Sequence, residues 1–238
     1  MNTQILTNAK KDIPLYFGEF QSFWNKTIEN YSDDDLHDCY RNTLIFKNWQ
    51  IALNHIDVKQ LDTILLELHE DINSSFYLSY FGQYRSAHIH LRSVIELSLQ
   101  ILYFYQHEVE FSQWKDGKFV IKHEKLTEYL TSHPQIIDTK GVKLIGDITN
   151  QWKLFSKFIH AEAPIYFQTN QQSFQTNQFS IKDFGIFKSN FLKTGYQINK
   201  LLLLFFRDRI NLFPTQQKDI LTGNMKPEDL TELGFSTT

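Results

Sequence analysis

Residues 83–107 read QYRSAHIHLRSVIELSLQILYFYQH, and this stretch decides the fold. Stepping 100° per residue from Arg85, the residues His88, Arg92, Glu96 and Tyr103 all fall within about 60° of it. Leu91, Val94, Ile95, Leu97, Ile101 and Leu102 cover the opposite side. A long helix with one narrow polar stripe belongs at the centre of a helical protein. Two arginines, a histidine and a carboxylate are costly to bury unless matched, so the stripe must face water, a groove or partner groups.

Helical periodicity continues in both directions. Pro14 suits a first helical turn, followed by Phe17, Phe20, Phe23, Trp24 and Ile28 on one side and an acidic turn at Ser32 to Asp35. A second helix is expected over Leu36 to His55. A third starts near Val58, with Leu61, Ile64, Leu65, Leu68 and Ile72 spaced by three and four, and Gly82 interrupts it. Downstream, Asp116-Gly117 signals a turn, and Glu124 to Leu130 makes a short helix closed by His133-Pro134. Further helices are expected over Val142 to His160 and Phe184 to Ile210, with short ones at Gln216 to Leu221 and Pro227 to Leu233. Between Pro164 and Phe184 the Asn/Gln-rich stretch 168–180 reads as a long loop, mobile or binding. No segment alternates well enough to demand a sheet. The expectation is an all-α, up-and-down bundle in one domain over 1–238, with N-terminal helices at 14–55, a core at about 58–210 and a tail at 211–238.

Composition narrows the classes. The 238 residues include 21 Phe, 11 Tyr and 4 Trp, far more large apolar side chains than a disordered chain carries. Cys39 is the single cysteine, which excludes an intrachain disulfide and a multi-cysteine zinc site and suits a reducing compartment. The first 13 residues do not resemble a signal peptide, and the most apolar run, Leu201 to Phe206, is too short for a bilayer; a cytoplasmic protein without membrane contact is expected. Residues 1–119 hold 10 basic and 16 acidic side chains, whereas Lys140 to Arg209 holds 10 basic and 4 acidic. Aromatics interleave that basic stretch, a pattern that fits either single-strand binding or an ordinary core with a solvated lysine face.

Two readings of the stripe stand side by side. In one, Arg92 and Glu96 form an i,i+4 ion pair and Arg85 reaches a helix C-terminus or another carboxylate. In the other, the arginines grip a phosphate while His88 or His90 exchanges protons near neutral pH. No glycine-rich phosphate loop or nucleophile elbow is present. The remaining histidines lack chelating spacing and His88-x-His90 points to different sides of a helix, so neither a metal nor another cofactor is expected. The acidic run Asp33 to Asp35 reads as a solvated turn and helix cap.

The segment Tyr84 to Glu96, with Ser156-Lys157-Phe158-Ile159-His160-Ala161 further on, resembles bacterial members of the HEPN superfamily over about Ile64 to Arg209. The resemblance implies a helical bundle that often dimerises and, in many members, metal-independent cleavage of single-stranded RNA in toxin-antitoxin or other defence systems. The family hallmark is an Arg followed after four to six residues by a His. Arg85 and His90 have four residues between them but lie about 140° apart on a helix. His160 has Lys153 where the pattern wants Arg, and lysine cannot fork around a phosphate. Carried over to this chain, His160, Arg85 and His90 are the catalytic candidates, and Arg92, Glu96, His88, Lys153 and Lys157 the binding candidates. His160 has a second reading, as a protonated cap on the last carbonyls of its helix. The two functional expectations are an RNA- or nucleotide-acting protein, ribonuclease or degenerate, and a non-catalytic module that binds a protein partner or a second copy of itself.

Overall fold

A computed structural model of the chain describes residues 3–137, 139–167 and 179–235. The fold is all-α, with no strand among the described residues. The α-helices are α1 (Thr3–Asn30), α2 (Asp33–His55), α3 (Asp62–Tyr80), α4 (Tyr84–Phe104), α5 (Glu108–Lys115), α6 (His123–Ser132), α7 (Thr139–His160), α8 (Ile181–Phe205), α9 (Thr215–Thr222) and α10 (Pro227–Glu232). Short 3-10 segments occupy Lys59–Leu61, Pro164–Tyr166 and Arg207–Leu212.

Helix α4 is the centre of the bundle, packed against α3, α6, α7 and α8. Leu91, Val94, Ile95, Leu99 and Leu102 along it have no solvent exposure. Burying one such side chain contributes about 1.5–3 kcal/mol, so this helix alone supplies a large part of the hydrophobic stabilisation. Local signals fix the joints. Ser32 and Asp35 form a reciprocal capping box that starts α2, so the acidic run is a helix cap, and Asp35 also meets Lys188 of α8. Gly82 turns the chain between α3 and α4 at φ 63°, where a Cβ would sit 2.0 Å from the Phe23 ring.

Several boundaries differ from the sequence reading. Helix α1 begins at Thr3, with Pro14 in its interior rather than its first turn. The carbonyl that Pro14 leaves without a donor belongs to exposed Lys10, so water can satisfy it. Helix α4 stops at Phe104, three residues early, and an unanticipated helix, α5, follows it. Helix α8 tightens into a 3-10 turn after Phe205 instead of running to Ile210. Most of the Asn/Gln-rich stretch, residues 168–178, lies outside the described residues.

The tail is bound into the bundle. Trp49 of α2 donates its indole N–H to Asn199 of α8 at 2.8 Å, and Asn199 in turn donates to the Leu221 carbonyl of α9 at 2.8 Å. Both side chains are fully buried, so this chain of donors leaves little freedom in how α9 docks.

Candidate functional site

The polar stripe of α4 faces α7. The two helices run antiparallel, and successive stripe residues meet successive turns of α7 in reverse order. Arg85 lies at the far end, where its Nε donates to the Phe158 carbonyl at 2.8 Å and its Nη2 to the Ile159 carbonyl at 3.2 Å. These are among the last carbonyls of α7, which have no partner within the helix. Arg85 therefore caps α7, as one of the two sequence readings had it.

One turn on, His88 is 1% exposed and stacks flat on Phe158, centroids 4.2 Å apart. Its Nδ1–H donates to the Tyr84 carbonyl at 2.6 Å, and its Nε2 accepts from the side-chain amide of Asn190 at 3.0 Å. Burial depresses its pKa to about 4. At neutral pH this histidine is an uncharged structural group.

Arg92 and Glu96 form the expected i,i+4 pair, with both Nη nitrogens on the two carboxylate oxygens at 2.8 and 3.2 Å. Helix α7 completes it. Arg92 Nε donates to Ser156 Oγ at 3.0 Å, Trp152 Nε1 donates to Glu96 at 2.9 Å, and the guanidinium lies 4.8 Å from the Trp152 ring centroid. His123, at the start of α6, stacks on the same indole at 4.1 Å with planes 8° apart. It is buried, both its ring nitrogens lack a protein partner, and desolvation lowers its pKa to about 4.

His90 lies on the other side of α4 and donates Nδ1–H to buried Asp71 of α3 at 2.7 Å. Arg85 and His90, with four residues between them, thus engage different neighbouring helices. His160 is exposed at the end of α7, and its side chain makes no hydrogen bond among the described residues. The cap that sequence reading offered it is taken by Arg85, one residue back along the same helix end. Ala161, next in line, adopts φ 49°, and Glu162 N–H returns to the Lys157 carbonyl at 3.3 Å, closing the helix in a Schellman-type turn. Lys153 is exposed and Lys157 half-buried. Their spacing with His160, four and then three residues, sets all three on one face of α7.

The structure brings Arg85 to the His160 end of α7, and Arg92 and Glu96 together on Trp152 and Ser156; it sets His90 apart. Sequence reasoning missed Trp152, Ser156 and Asn190 as partners. The i,i+4 spacing of Trp152 and Ser156 was the available signal, since it matches that of Arg92 and Glu96. No group of three or more potential metal ligands occurs among the described residues. No helix there is long and apolar enough to cross a membrane. The chain matches no family model, no curated protein and no solved structure.

Proposed function

We propose that this chain is a HEPN-like helical bundle of a bacterial defence or toxin-antitoxin type that binds single-stranded RNA or a nucleotide without cutting it. One observation carries the reading. The cations that a cleaving site would turn on phosphate, Arg85 and Arg92, are already donating to α7 carbonyls, Ser156 and Glu96. The histidine between them is buried and neutral. General acid-base work needs a group that titrates near the working pH; buried His88 does not, and His90 is held on Asp71, away from both arginines. Toward its C-terminal end α7 presents the row Lys153, Lys157 and His160, with the composition of an electrostatic contact for a phosphate backbone.

The test is incubation of purified protein with labelled single-stranded RNA in chelator at low salt. Retention of intact RNA, weakened by Lys153→Ala with Lys157→Ala, is expected. Cleavage that His160→Ala abolishes overturns the non-catalytic reading and restores a metal-independent ribonuclease. A second reading, a module for a protein partner or a second copy, is favoured by Ile165 at 81% and Phe167 at 47% exposure after α7 and Ile181 at 70% at the start of α8. Absence of both retention and cutting, with self-association on sedimentation that Ile165→Asp abolishes, selects it.

A further inference from the structure

The stripe of α4 does not end on α7. Its last member, Tyr103, lies beyond the contact with Trp152 and forms one wall of an open cleft of about 760 Å³. Tyr103, Phe119, Val120, Ile121, Lys122 and Tyr129 line it, and none belongs to the arrangement on α7. That size falls in the range of about 300–1,000 Å³ usual for small-molecule sites.

The walls select a flat ring. His107 stacks on Tyr103 at 3.9 Å with planes 3° apart, covering one face, and His107 is not part of the cleft lining. The Phe119 ring, which does line the cleft, is 9° from parallel to Tyr103 with centroids 6.4 Å apart. Tyr129 stands edge-on to Tyr103 at 5.1 Å and 80°. Its hydroxyl is already donated to Gln106 at 2.7 Å, so Tyr129 offers the ring. Aromatic rings stack on such surfaces in offset or edge-on geometry, with little dependence on which base they meet.

The rim supplies positive charge. Glu128 at the cleft is held by Lys125 at 2.7 Å, whereas exposed Lys122 makes no ion pair among the described residues. Lys122 is also the residue from which α6 starts; Glu124 in that first turn offsets the potential of its N–H groups, so the positive charge at the cleft is the Lys122 ammonium itself. An aromatic wall next to an unpaired cation is complementary to a base and its phosphate.

We propose that this cleft holds one nucleotide of single-stranded RNA, its base stacked on Tyr103 and its phosphate on Lys122. The inference rests on the RNA-binding reading above and adds to it a site built from residues other than Lys153, Lys157 and His160. The test uses the full chain and a ten-nucleotide oligouridylate carrying a central 2-aminopurine, whose emission falls when the base stacks. Binding to the wild-type protein is expected to quench it. Tyr103→Phe keeps the quenching, and Tyr103→Leu loses it with affinity down about tenfold, the effect of removing one base-aromatic stack. Lys122→Ala, at an exposed position that leaves folding unchanged, lowers the slope of log affinity against log salt by about 0.7. RNA that binds with unchanged emission, or equally well to Tyr103→Leu and Lys122→Ala, overturns the cleft and leaves RNA binding standing. No binding to the wild-type protein overturns both.

Discussion

His88 accepts a hydrogen bond from Asn190 on one ring nitrogen and donates to the Tyr84 carbonyl from the other, which fixes it as a neutral imidazole. The folded group takes up a proton only near pH 4, against the ordinary value of 6.5. Between those values the unfolded chain binds more protons than the folded one, so stability falls as pH falls through the window and is fully retained above 6.5. The loss from this group is on the order of 3 kcal/mol by pH 4. Urea unfolding at pH 7.5 and pH 4.5 should show a clear drop in midpoint at the lower pH. Equal midpoints would mean that His88 is charged or exposed.

His123 contributes to the same window through a different defect. Its ring is stacked on Trp152, yet neither nitrogen finds a protein partner. His123→Phe preserves a flat ring on the indole and removes both polar atoms. An unsatisfied buried polar group costs about 1–3 kcal/mol, so the variant is expected to be more stable by about 1–2 kcal/mol at pH 7. It should also flatten the pH dependence between 6.5 and 4. A less stable variant would assign the imidazole a bonding role.

Arg85 and Ala161 act on opposite aspects of the α7 terminus, and two substitutions separate them. Arg85→Met leaves the Phe158 and Ile159 carbonyls without their charged donor, at an expected cost of about 1.5–3 kcal/mol. Ala161→Gly keeps the left-handed conformation and removes the Cβ that disfavours it, with an expected gain of about 1 kcal/mol. Thermal unfolding of the two single variants and the double variant reads both. A loss from Ala161→Gly would show that the methyl group packs usefully at the helix end.

The elements were legible from the chain because period and punctuation agree: apolar residues at three and four, Gly82 and Asp116-Gly117 at the turns, Ser32 before α2. The missed helix, α5, is eight residues with Phe111 as its one buried side chain, too little pattern to separate it from the turn after it. The stripe was legible as a stripe, as was the Arg92–Glu96 pair, which is local. Its destination was not, because Trp152, Ser156 and the Phe158 carbonyl lie more than fifty residues away, and only docking of α7 decides that they meet α4. The separation of Arg85 from His90 could be read from helix geometry. The occupation of Arg85 by a helix end, and the burial of His88 under Phe158, could not.

Arg92 is the residue on which structural and ligand-binding roles diverge most sharply. Its fork fits both oxygens of Glu96 while Nε holds Ser156 and the guanidinium lies against Trp152. Lysine keeps the charge but can neither fork nor stack, so Arg92→Lys is expected to lose about 1–2 kcal/mol of stability. Glu96→Gln keeps the shape and strands a half-buried guanidinium without its counter-charge, at a similar cost of about 1–2 kcal/mol once solvent screening is allowed for. Because each substitution breaks one shared arrangement, the double variant should cost clearly less than the two single losses combined. A phosphate-gripping Arg92 would behave differently: Glu96→Gln would release the guanidinium and raise RNA affinity, and Arg92→Lys would lower it. Anisotropy titrations with single-stranded RNA at fixed salt, run beside the unfolding curves, are expected to show affinity unchanged while stability falls, because the arginine belongs to the contact between α4 and α7.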